Sequence, residues 1–589
     1  MAVPHASSGA RLLSAAVLLT LCGVGLVALA LRSATPRADF AFTGGGEVRS
    51  LDPHAVTGVP EGRVVRLMYE GLVARNPRTL QPEPAAAASW TVTPDGRTYT
   101  FTLRADARWS NGDPVVAEDF RFSFLRLLDP ATASEYASAL WIVEGAREYT
   151  TGVDASGAAV VRDPARVAIR SLAERTLEIR LELPAVHFLQ LLAGPNFVPV
   201  HRTSLEAVRA AYPEAWASRW TRPENLVTNG PFRLIERRIQ DRLRFERNEH
   251  YWGARDVALR TVDVLAIERW SSALNLYLAG ELDWVDGAIP TSLVPELAGR
   301  EDFLNRPYYA VYFYRVNVTR PPFDTREFRT ALATSLQRTP ICDTVLKAGQ
   351  KPAFSLVPLG IGGYLPPKVF GESPEYGRKM LEAAGFDAQD KAKKPRPLEL
   401  HFNTSEVHRD IAEVVADQWR KTLGLDVRLR NQEWKSFLDA QSKLDYDLSR
   451  SSWIADYGDP LSFLEIWTTG HENNRTGWSN ANYDDLIGAA RRERDVARRL
   501  ELFKRAEQLL LYELPCIPIY HYTTQNLVDP RVGGFASNQL NEQDPRRWFW
   551  RDDKELSQAR AGRELEGRHV ESHGPRAGLH ARGPAEVAK

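Results

Sequence analysis

The sequence predicts a mixed α/β protein built from more than one domain. Its 589 residues exceed the length at which a single hydrophobic core stops growing. Short runs that alternate apolar and polar residues, such as "RTYTFTLR" and "DRLRFERN", are typical of half-buried strands. They are interspersed with stretches of helical period, such as "HRDIAEVVADQWRKTLG" and "ARRLELFKRAEQLLLYEL".

The N-terminal segment, residues 1–38, differs from the rest and is interpreted as a signal peptide or signal anchor. Arg11 precedes residues 12–31, which carry no charge and are long enough to span a bilayer. The small residues at 28–30 suit signal peptidase, but they lie inside this apolar run. An uncleaved anchor is favoured, and cleavage stays open. Both alternatives predict a periplasmic location or one on the extracytoplasmic face of the inner membrane.

Composition excludes some classes of protein. Lysine plus arginine equals aspartate plus glutamate, at 75 each, whereas a nucleic-acid groove needs a basic excess. Outside the N-terminal segment only Cys342 and Cys516 remain, which is too few for a disulfide framework, and two buried free thiols are expected. The tail, residues 555–589, lacks large apolar residues at any sustained period and is predicted to be disordered.

One short stretch places unusual chemistry together. "DLSRSSWIADYGDP" sets Arg450, Trp453 and Asp456 within seven residues, between an alternating approach and a turn at 458–460. No nucleophile and no metal-ligand cluster lies beside them in the sequence. A cation, an indole and an anion at this spacing therefore raise the possibility of a binding site rather than a catalytic one.

An enzyme is the main alternative class, and its usual motifs are absent. The sequence contains no G-x-S-x-G elbow, no H-E-x-x-H pair and no cysteine with a nearby histidine pattern. Asp456 and Asp459 fall in one turn rather than on opposite pocket walls. His401 and His408 are seven residues apart, which is not a usual metal-ligand spacing. We therefore predict no catalytic residue, no metal and no cofactor.

A resemblance emerges from several pieces of sequence taken in order. They are "NGDPVVAEDFRFSFLRLLD", "NLVTNGPFRL", "GELDWV", "PPFDTREFRTALATSLQR" and "NTSEVHRDIAEVVADQWRKTLG". Together they resemble family 5 of the extracytoplasmic solute-binding proteins, which serve ABC importers of oligopeptides and dipeptides, over roughly residues 40–550. The resemblance is greatest to the oligopeptide receptors. It implies a two-lobed α/β body of the type II periplasmic-binding class, with a third, inserted domain.

The resemblance also implies a division of the chain into segments. In order, they are residues 39–70, the first part of lobe I; 71–194, the inserted domain II; 195–307, the second part of lobe I; 308–523, lobe III; and 524–554, the closing segment of lobe I.

Receptors of this kind close two lobes around an extended peptide, and the quoted stretch fits that task by resemblance. Asp456 corresponds to an aspartate that pairs with the ligand's α-amino group, Arg450 to a cation for the carboxylate end, and Trp453 to an aromatic wall. If the stretch stays extended, Arg450 and Asp456 share one face and stand about 20 Å apart at ~3.3 Å per residue.

Further ligand-binding positions carry over by the same register. His408 resembles a histidine near the carboxylate end of longer peptides, Trp434 a pocket wall, and Tyr136 a ring near the ligand. Gly58 and Val59 resemble a second backbone edge for the peptide.

Departures from the family pattern affect ligand length and rigidity. Thr57 and Thr344 stand where relatives can carry a glutamate and a lysine. Ala310 and Ile454 stand where some relatives form a disulfide, so that crosslink is absent here.

The implied partners are an oligopeptide ligand, the permease and ATPase subunits of an ABC importer, and the membrane through the N-terminal segment; the receptor itself is expected to be a monomer. A receptor for a non-peptide ligand and a sensor without a transporter remain open. Retention of both Asp456 and Arg450 favours a zwitterionic ligand over a metal chelate.

Overall fold

The computed structural model describes residues 36–559, apart from 155, 288, 291, 388, 389 and 391. The apolar run at 12–31 therefore lies outside the described residues, as does most of the tail that was predicted to be disordered. Residues 553–559 are helical. Within the described residues, no helix is both long enough and apolar enough to cross a membrane.

The main sheet has eleven strands and runs through both lobes. Its strands, in spatial order, are β15 (Val427–Gln432), β14 (Leu398–Asn403), β16 (Leu448–Ile454), β12 (Phe303–Val316), β17 (Cys516–Val528), β11 (Trp284–Asp286), β1 (Phe40–Thr43), β10 (Thr261–Leu265), β9 (Arg242–Arg247) and β8 (Phe232–Arg238), with β13 (Lys351–Pro352) added beside β17.

Two long antiparallel strands, β12 and β17, connect the halves of this sheet. Residues 303–307 of β12 pair with the end of β17, which also pairs with β11. Residues 311–315 of β12 pair with the beginning of β17, and β12 there also pairs with β16. The register shifts between Pro307 and Val311. Because an interrupted ladder bends more easily than a regular one, this point is suited to rotation of one lobe against the other.

A separate four-stranded antiparallel sheet lies within the segment predicted as the inserted domain. Its strands, in spatial order, are β4 (Ala87–Val92), β5 (Thr98–Leu103), β7 (Thr176–Arg180) and β6 (Ile169–Ala173). Phe120, Phe124 and Leu127 of a helix at 117–128 are fully buried in the same core cluster as this sheet. Two-stranded sheets are formed by β2 (Val73–Arg75) with β3 (Pro82–Pro84), and by β18 (Val532–Gly533) with β19 (Phe549–Trp550). The segment boundaries themselves stay a prediction.

Besides the helical residues 553–559, the described residues form further α-helices, several of which contribute buried residues to the same core clusters as the sheets. In chain order they are α1 (Val59–Met68), α2 (Ala117–Leu128), α3 (Ala146–Thr151), α4 (Phe188–Leu192), α5 (Arg202–Ala211), α6 (Trp216–Trp220), α7 (Trp270–Leu278), α8 (Val294–Leu297), α9 (Arg326–Ser335), α10 (Pro374–Ala383), α11 (Glu406–Leu423), α12 (Trp434–Ser442), α13 (Leu461–Leu464), α14 (Ala481–Arg492) and α15 (Val496–Glu513).

The helix α11 shows how local sequence sets an element that positions the site. Ser405 caps its start by accepting a hydrogen bond from the His408 amide, and Gly424 ends it in the left-handed conformation. Buried Ile411, Val415 and Trp419 form its core stripe. The helix therefore fixes its first turn, including His408, next to the strands of lobe III.

The expectation of two free, buried thiols is confirmed, and a buried asparagine adds a structural contact. Cys342 and Cys516 are free and buried, and they lie in different core clusters. Asn229 is buried, and its side chain both accepts from the amide of Glu70 (3.0 Å) and donates to its carbonyl (2.8 Å). The Asn-Gly turn thus braces the main chain just after α1.

Candidate functional site

The candidate site begins on β16, where strand alternation decides which side chains share a face. Arg450, Ser452 and Ile454 alternate along this strand, and an Arg450 Nη2 hydrogen bond to Ser452 Oγ (3.3 Å) shows that the first two are neighbours on one face. The strand ends at Ile454, and the bend that follows contains Asp456. The extended conformation expected for the stretch therefore holds from Arg450 to Ile454.

Asp456 lies in an enclosed but accessible space. The residue is exposed, yet burial among surrounding protein, aided by Glu465 and opposed by Arg75, raises the pKa of its carboxyl to about 7. A carboxyl that faces an internal cleft, rather than the outer surface, explains both the exposure of Asp456 and its raised pKa. Tyr136 borders the same space, because burial and then the Asp456 charge raise the pKa of its phenol. Among the described residues, the Asp456 carboxyl has no hydrogen-bond or ion-pair partner.

Arg450 presents the opposite charge under similar conditions. Its guanidinium is buried and makes three long hydrogen bonds, to Asn403 Oδ1 (3.3 Å), Ser452 Oγ (3.3 Å) and the Tyr522 hydroxyl (3.4 Å). It also lies 5.1 Å from the centre of the Tyr312 ring, within range of a cation–π interaction.

The charge of Arg450 is not balanced by a carboxylate. Burial alone would lower its pKa, but Tyr522, Tyr312 and Tyr520 raise it, so the guanidinium stays charged. No Asp or Glu of the described residues forms a salt bridge with it, and its Nε is buried without a hydrogen-bond partner. Buried charges in proteins are normally paired, so an unpaired one is a candidate for ligand binding.

His408 lies beside Arg450 but does not add a second cation. Its ring centre is 5.7 Å from that of Tyr312. Burial and then the charge of Arg450 lower its pKa to about 3, so the imidazole is neutral at physiological pH. Its Nδ1 is buried without a partner. His408 can therefore offer a hydrogen bond to a ligand, whereas Arg450 offers the charge.

The two candidate tryptophans have different surroundings. Trp453 alternates to the opposite face of β16 from Arg450, and it is half-buried against a hydrophobic core cluster with an unpaired Nε1. Trp434 begins α12 with 44% of its surface exposed and stacks on Phe437 at 5.8 Å between ring centres. Trp434 thus presents an open ring face, whereas Trp453 contributes mainly to packing.

Gly58 and Val59 do not form a continuous extended edge. Gly58 is extended, with φ of −94° and ψ of 156°, but it is the N-cap of α1, and Val59 is already the first helical residue. Pro60 follows within the first turn, and proline is favoured there because the first helical amides have no acceptor. Only Gly58 keeps the backbone conformation that strand-like pairing with a peptide requires.

The absent family disulfide has a clear place in the structure. Ala310 and Ile454 are direct partners in the antiparallel pairing of β12 with β16. Both are hydrophobic, so this point is held by packing and by the hydrogen bond from the Ala455 amide to the Tyr309 carbonyl (2.9 Å).

Two contacts join distant segments of the chain, and one of them involves Tyr457, the residue after Asp456. The ring of His187, just before α4, stacks on Tyr457 with centres 4.9 Å apart. Arg494 donates to the carbonyl of Pro94 (2.8 Å). A small cavity of about 50 Å³ lies beside Arg75, and it is far smaller than a peptide. No group of three or more metal-ligating side chains occurs among the described residues.

The structure adds residues that sequence reasoning missed. Tyr312 and Tyr522 surround Arg450, and Arg75 and Glu465 face Asp456. Tyr312 sits in the aromatic run "YYAVYFY", which could have indicated a ring-lined wall. Nothing in the local sequence distinguishes the other three, because they reach the site only through folding.

The comparisons with known proteins agree with this arrangement. The family model for "Bacterial extracellular solute-binding proteins, family 5 Middle" matches residues 81–475. The chain belongs to this family. Among family 5 relatives, the periplasmic oligopeptide-binding protein OppA of Salmonella typhimurium is 35% identical over 503 residues, which cover 84% of this chain and 88% of that protein.

Solved structures of relatives share the two-lobed type II-like fold. OppA of Haemophilus influenzae in complex with RPPGFSPFR has a TM-score of 0.73 at 30% identity, covering 88% of this chain and all of that one. The Escherichia coli murein tripeptide binding protein MppA has a TM-score of 0.76 at 32% identity, covering 88% and 99%. An unliganded open form of MppA gives only 0.70 at the same identity, covering 88% and 98%. This family 5 protein thus gives a lower TM-score with the open form than with the other MppA structure.

Proposed function

We propose that this protein is an extracytoplasmic receptor that binds oligopeptides and delivers them to an ABC importer. One observation carries the proposal: Arg450 on β16 is a buried cation without an ion-pair partner, and Asp456, in the bend that follows this strand, is a carboxyl without an ion-pair partner. A peptide in its zwitterionic form supplies the complementary charge at each end. Ion pairing with the ligand would remove the cost of keeping both groups desolvated.

The main chain of the ligand would bind by strand addition. In that mode, backbone hydrogen bonds provide affinity for any sequence, and wet pockets accept the side chains. We assign Asp456 to the α-amino group and Arg450 to the carboxylate, with a hydrogen bond from the His408 imidazole. Tyr136 and Trp434 would line the side-chain pockets.

Some positions that the family resemblance implied would contribute less to ligand binding than expected. Gly58 would offer main-chain contacts from the opposite lobe without Val59, and Trp453 would support the strand from behind.

The remaining features concern location and assembly. The Salmonella relative is named a periplasmic oligopeptide-binding protein, and none of the relatives named above is named as an enzyme. We propose the same for this chain: a monomeric receptor without catalytic activity, tethered to the membrane by residues 12–31 if that segment is not cleaved.

A ligand with a carboxylate but no amino group is the competing possibility. Such a ligand would use Arg450 and leave the Asp456 carboxyl without a counter-ion, so it would gain nothing from that residue. The two charges together therefore favour a peptide.

A double-mutant cycle in calorimetry tests the assignment of Asp456. Truncating one partner of a buried charge pair costs about 2 to 5 kcal/mol, so Asp456→Asn should weaken binding of a mixed tri- to pentapeptide by tens to thousands of fold. N-acetylation of the peptide should weaken wild-type binding similarly but add little in the variant, because both changes delete one ion pair. Additive losses would show that Asp456 is a turn residue. Small-angle scattering should show compaction when peptide is added.

A further inference from the structure

Arg75 occupies a junction between three distant parts of the chain. Its side chain is only 1% exposed. It donates to Glu542 Oε1 (2.5 Å) in the closing segment of lobe I and to the carbonyl of Gln190 (2.9 Å) at α4. A third, longer hydrogen bond of 3.5 Å goes to the carbonyl of Asp456. A residue of β2 thus contacts the main chain of the residue assigned to the ligand's amino group.

Asp456 is held on both sides of its main chain by this arrangement. Its amide donates to Ser462 Oγ in α13 (3.0 Å), and its carbonyl accepts from Arg75. The carboxyl group alone is left to face the cleft. On the predicted division of the chain, β2 begins the inserted domain and Asp456 lies in lobe III, so the contact from Arg75 requires these two parts to be together.

The local charge balance gives Arg75 an electrostatic role as well. Arg66 and Arg75 share the single carboxylate of Glu542, at 2.9 and 2.5 Å. One positive charge therefore remains in this cluster, beside Asp456. On the other side Glu465 repels the Asp456 carboxylate.

The neighbours of Glu465 moderate that repulsion. Glu465 is itself bound to Arg491 (2.9 Å) and to the hydroxyl of Tyr457 (2.8 Å). Tyr136 and Tyr457 are the other titratable groups affected by the Asp456 charge, and burial raises the pKa of each further above its usual range. Arg75 is thus the cation that favours an ionised Asp456.

We propose that Arg75 is a positioning residue for Asp456, which links closure of the lobes to capture of the ligand's amino group. The proposal rests on the proposed peptide-binding function. When the lobes meet, Arg75 orients the Asp456 main chain and supplies the positive charge that keeps the carboxylate ready to bind an ammonium. When the lobes separate, that support is withdrawn and the ligand is released more easily.

Arg66 offers a matched control, because it shares Glu542 with Arg75 but makes no contact with Asp456. Removing a cation next to a carboxylate raises its pKa by about one unit. In Arg75→Met, the midpoint of the pH dependence of trialanine binding should therefore rise from about 7 to about 8. Affinity relative to wild type should fall about fivefold at pH 7 and less than twofold at pH 8.5.

The control and rescue variants separate charge from structure. Arg66→Met should shift the midpoint much less than Arg75→Met, because only Arg75 acts directly on Asp456, and Arg75→Lys should restore most of the wild-type midpoint because the charge returns. If Arg75→Met does not fold, Arg75→Gln removes the charge while keeping hydrogen-bond donors. Equal shifts for Arg75→Met and Arg66→Met, or a loss that is the same at every pH, would overturn the proposal.

A second measurement is independent of peptide binding. Carbon-13 NMR of labelled aspartate in the ligand-free protein, assigned with Asp456→Asn, should show a higher titration midpoint for Asp456 in Arg75→Met than in wild type. No change in a sample that small-angle scattering shows to be closed would refute the role of Arg75. If wild type bound no trialanine at any pH, the proposed function would fail, while this titration would still decide the role of Arg75.

Discussion

Replacing Arg450 by methionine should stabilise the ligand-free protein while it abolishes tight binding. The guanidinium is buried without a carboxylate partner among the described residues. Its compensating contacts are three hydrogen bonds of 3.3 to 3.4 Å and one cation–π contact. A methionine of similar length fills the same volume without a desolvated charge. Stability and function should therefore change in opposite directions at this position.

The magnitude follows from the balance of these terms. The effective cost of burying a charged group is several kcal/mol. Loss of the cation–π contact offsets about 0.5 to 2 kcal/mol of the gain from removing that charge, and loss of the three long hydrogen bonds offsets a further part. We expect a net gain of about 1 kcal/mol for Arg450→Met, seen as a melting temperature higher by about 1 to 3 °C. Peptide at 100 times its Kd stabilises the wild type by about 2.7 kcal/mol. With peptide present, the wild type should therefore melt at a higher temperature than Arg450→Met.

Arg338 provides the structural comparison for this assay. Its guanidinium is also fully buried, but it donates to the carbonyls of Pro518 (2.8 Å), Leu336 (3.1 Å) and Ala333 (3.2 Å). Arg338→Met should lower the melting temperature with and without peptide, because each unsatisfied carbonyl costs about 1 to 3 kcal/mol. Thermal melts of both variants decide the matter. If Arg450→Met is destabilised and still binds peptide, Arg450 is a structural residue and the reasoning is wrong.

Three further predictions follow from the same structure. Because burial raises the pKa of Asp456 to about 7 in the ligand-free protein and only its ionised form pairs with an ammonium, peptide affinity should fall as the pH drops below 7; calorimetry that shows constant affinity from pH 7 to 5 would contradict this. A Cβ on Gly230 would lie 2.5 Å from main-chain atoms at the end of α1, whereas Gly299 has free space, so urea unfolding should show that Gly230→Ala costs more than about 2 kcal/mol and Gly299→Ala less than about 1. Cysteines at Ala310 and Ile454, direct cross-strand partners, should oxidise to a disulfide and raise stability by about 2 to 4 kcal/mol; free thiols after mild oxidation, measured by thiol titration, would refute the pairing.

Local sequence pattern was sufficient to predict several of the strands and helices, including the helix that contains His408. The alternating runs "RTYTFTLR" and "DRLRFERN" are β5 and β9, and the two helical stretches are α11 and α15. These features depend on residues close in sequence, whose periodicity reports directly on the face that is buried. The extended conformation expected from Arg450 to Asp456 holds only as far as Ile454, so the expectation that these two residues share one face stays a prediction.

The local sequence did not determine the backbone conformation at Gly58 and Val59. The register with relatives implied an extended edge, but Val59 starts α1. The proline that follows is compatible with both an extended strand end and a first helical turn. The choice was made by the burial of later residues of the helix, such as Val64 and Leu67.

The sequence alone determined the class of fold, the strand that presents Arg450 and the absence of recognisable catalytic motifs, because these depend on local periodicity and residue type. Only the tertiary structure decided that Asp456 and Arg450 lack ion-pair partners among the described residues, that His408 is neutral, and that Arg75 reaches Asp456. The burial of a group and its charge pairing depend on all of its neighbours, which come from segments hundreds of residues apart. Arg75 and Asp456, for example, are 381 positions apart along the chain. No local sequence pattern identifies these distant neighbours, so the electrostatics of the site arise only when the lobes meet.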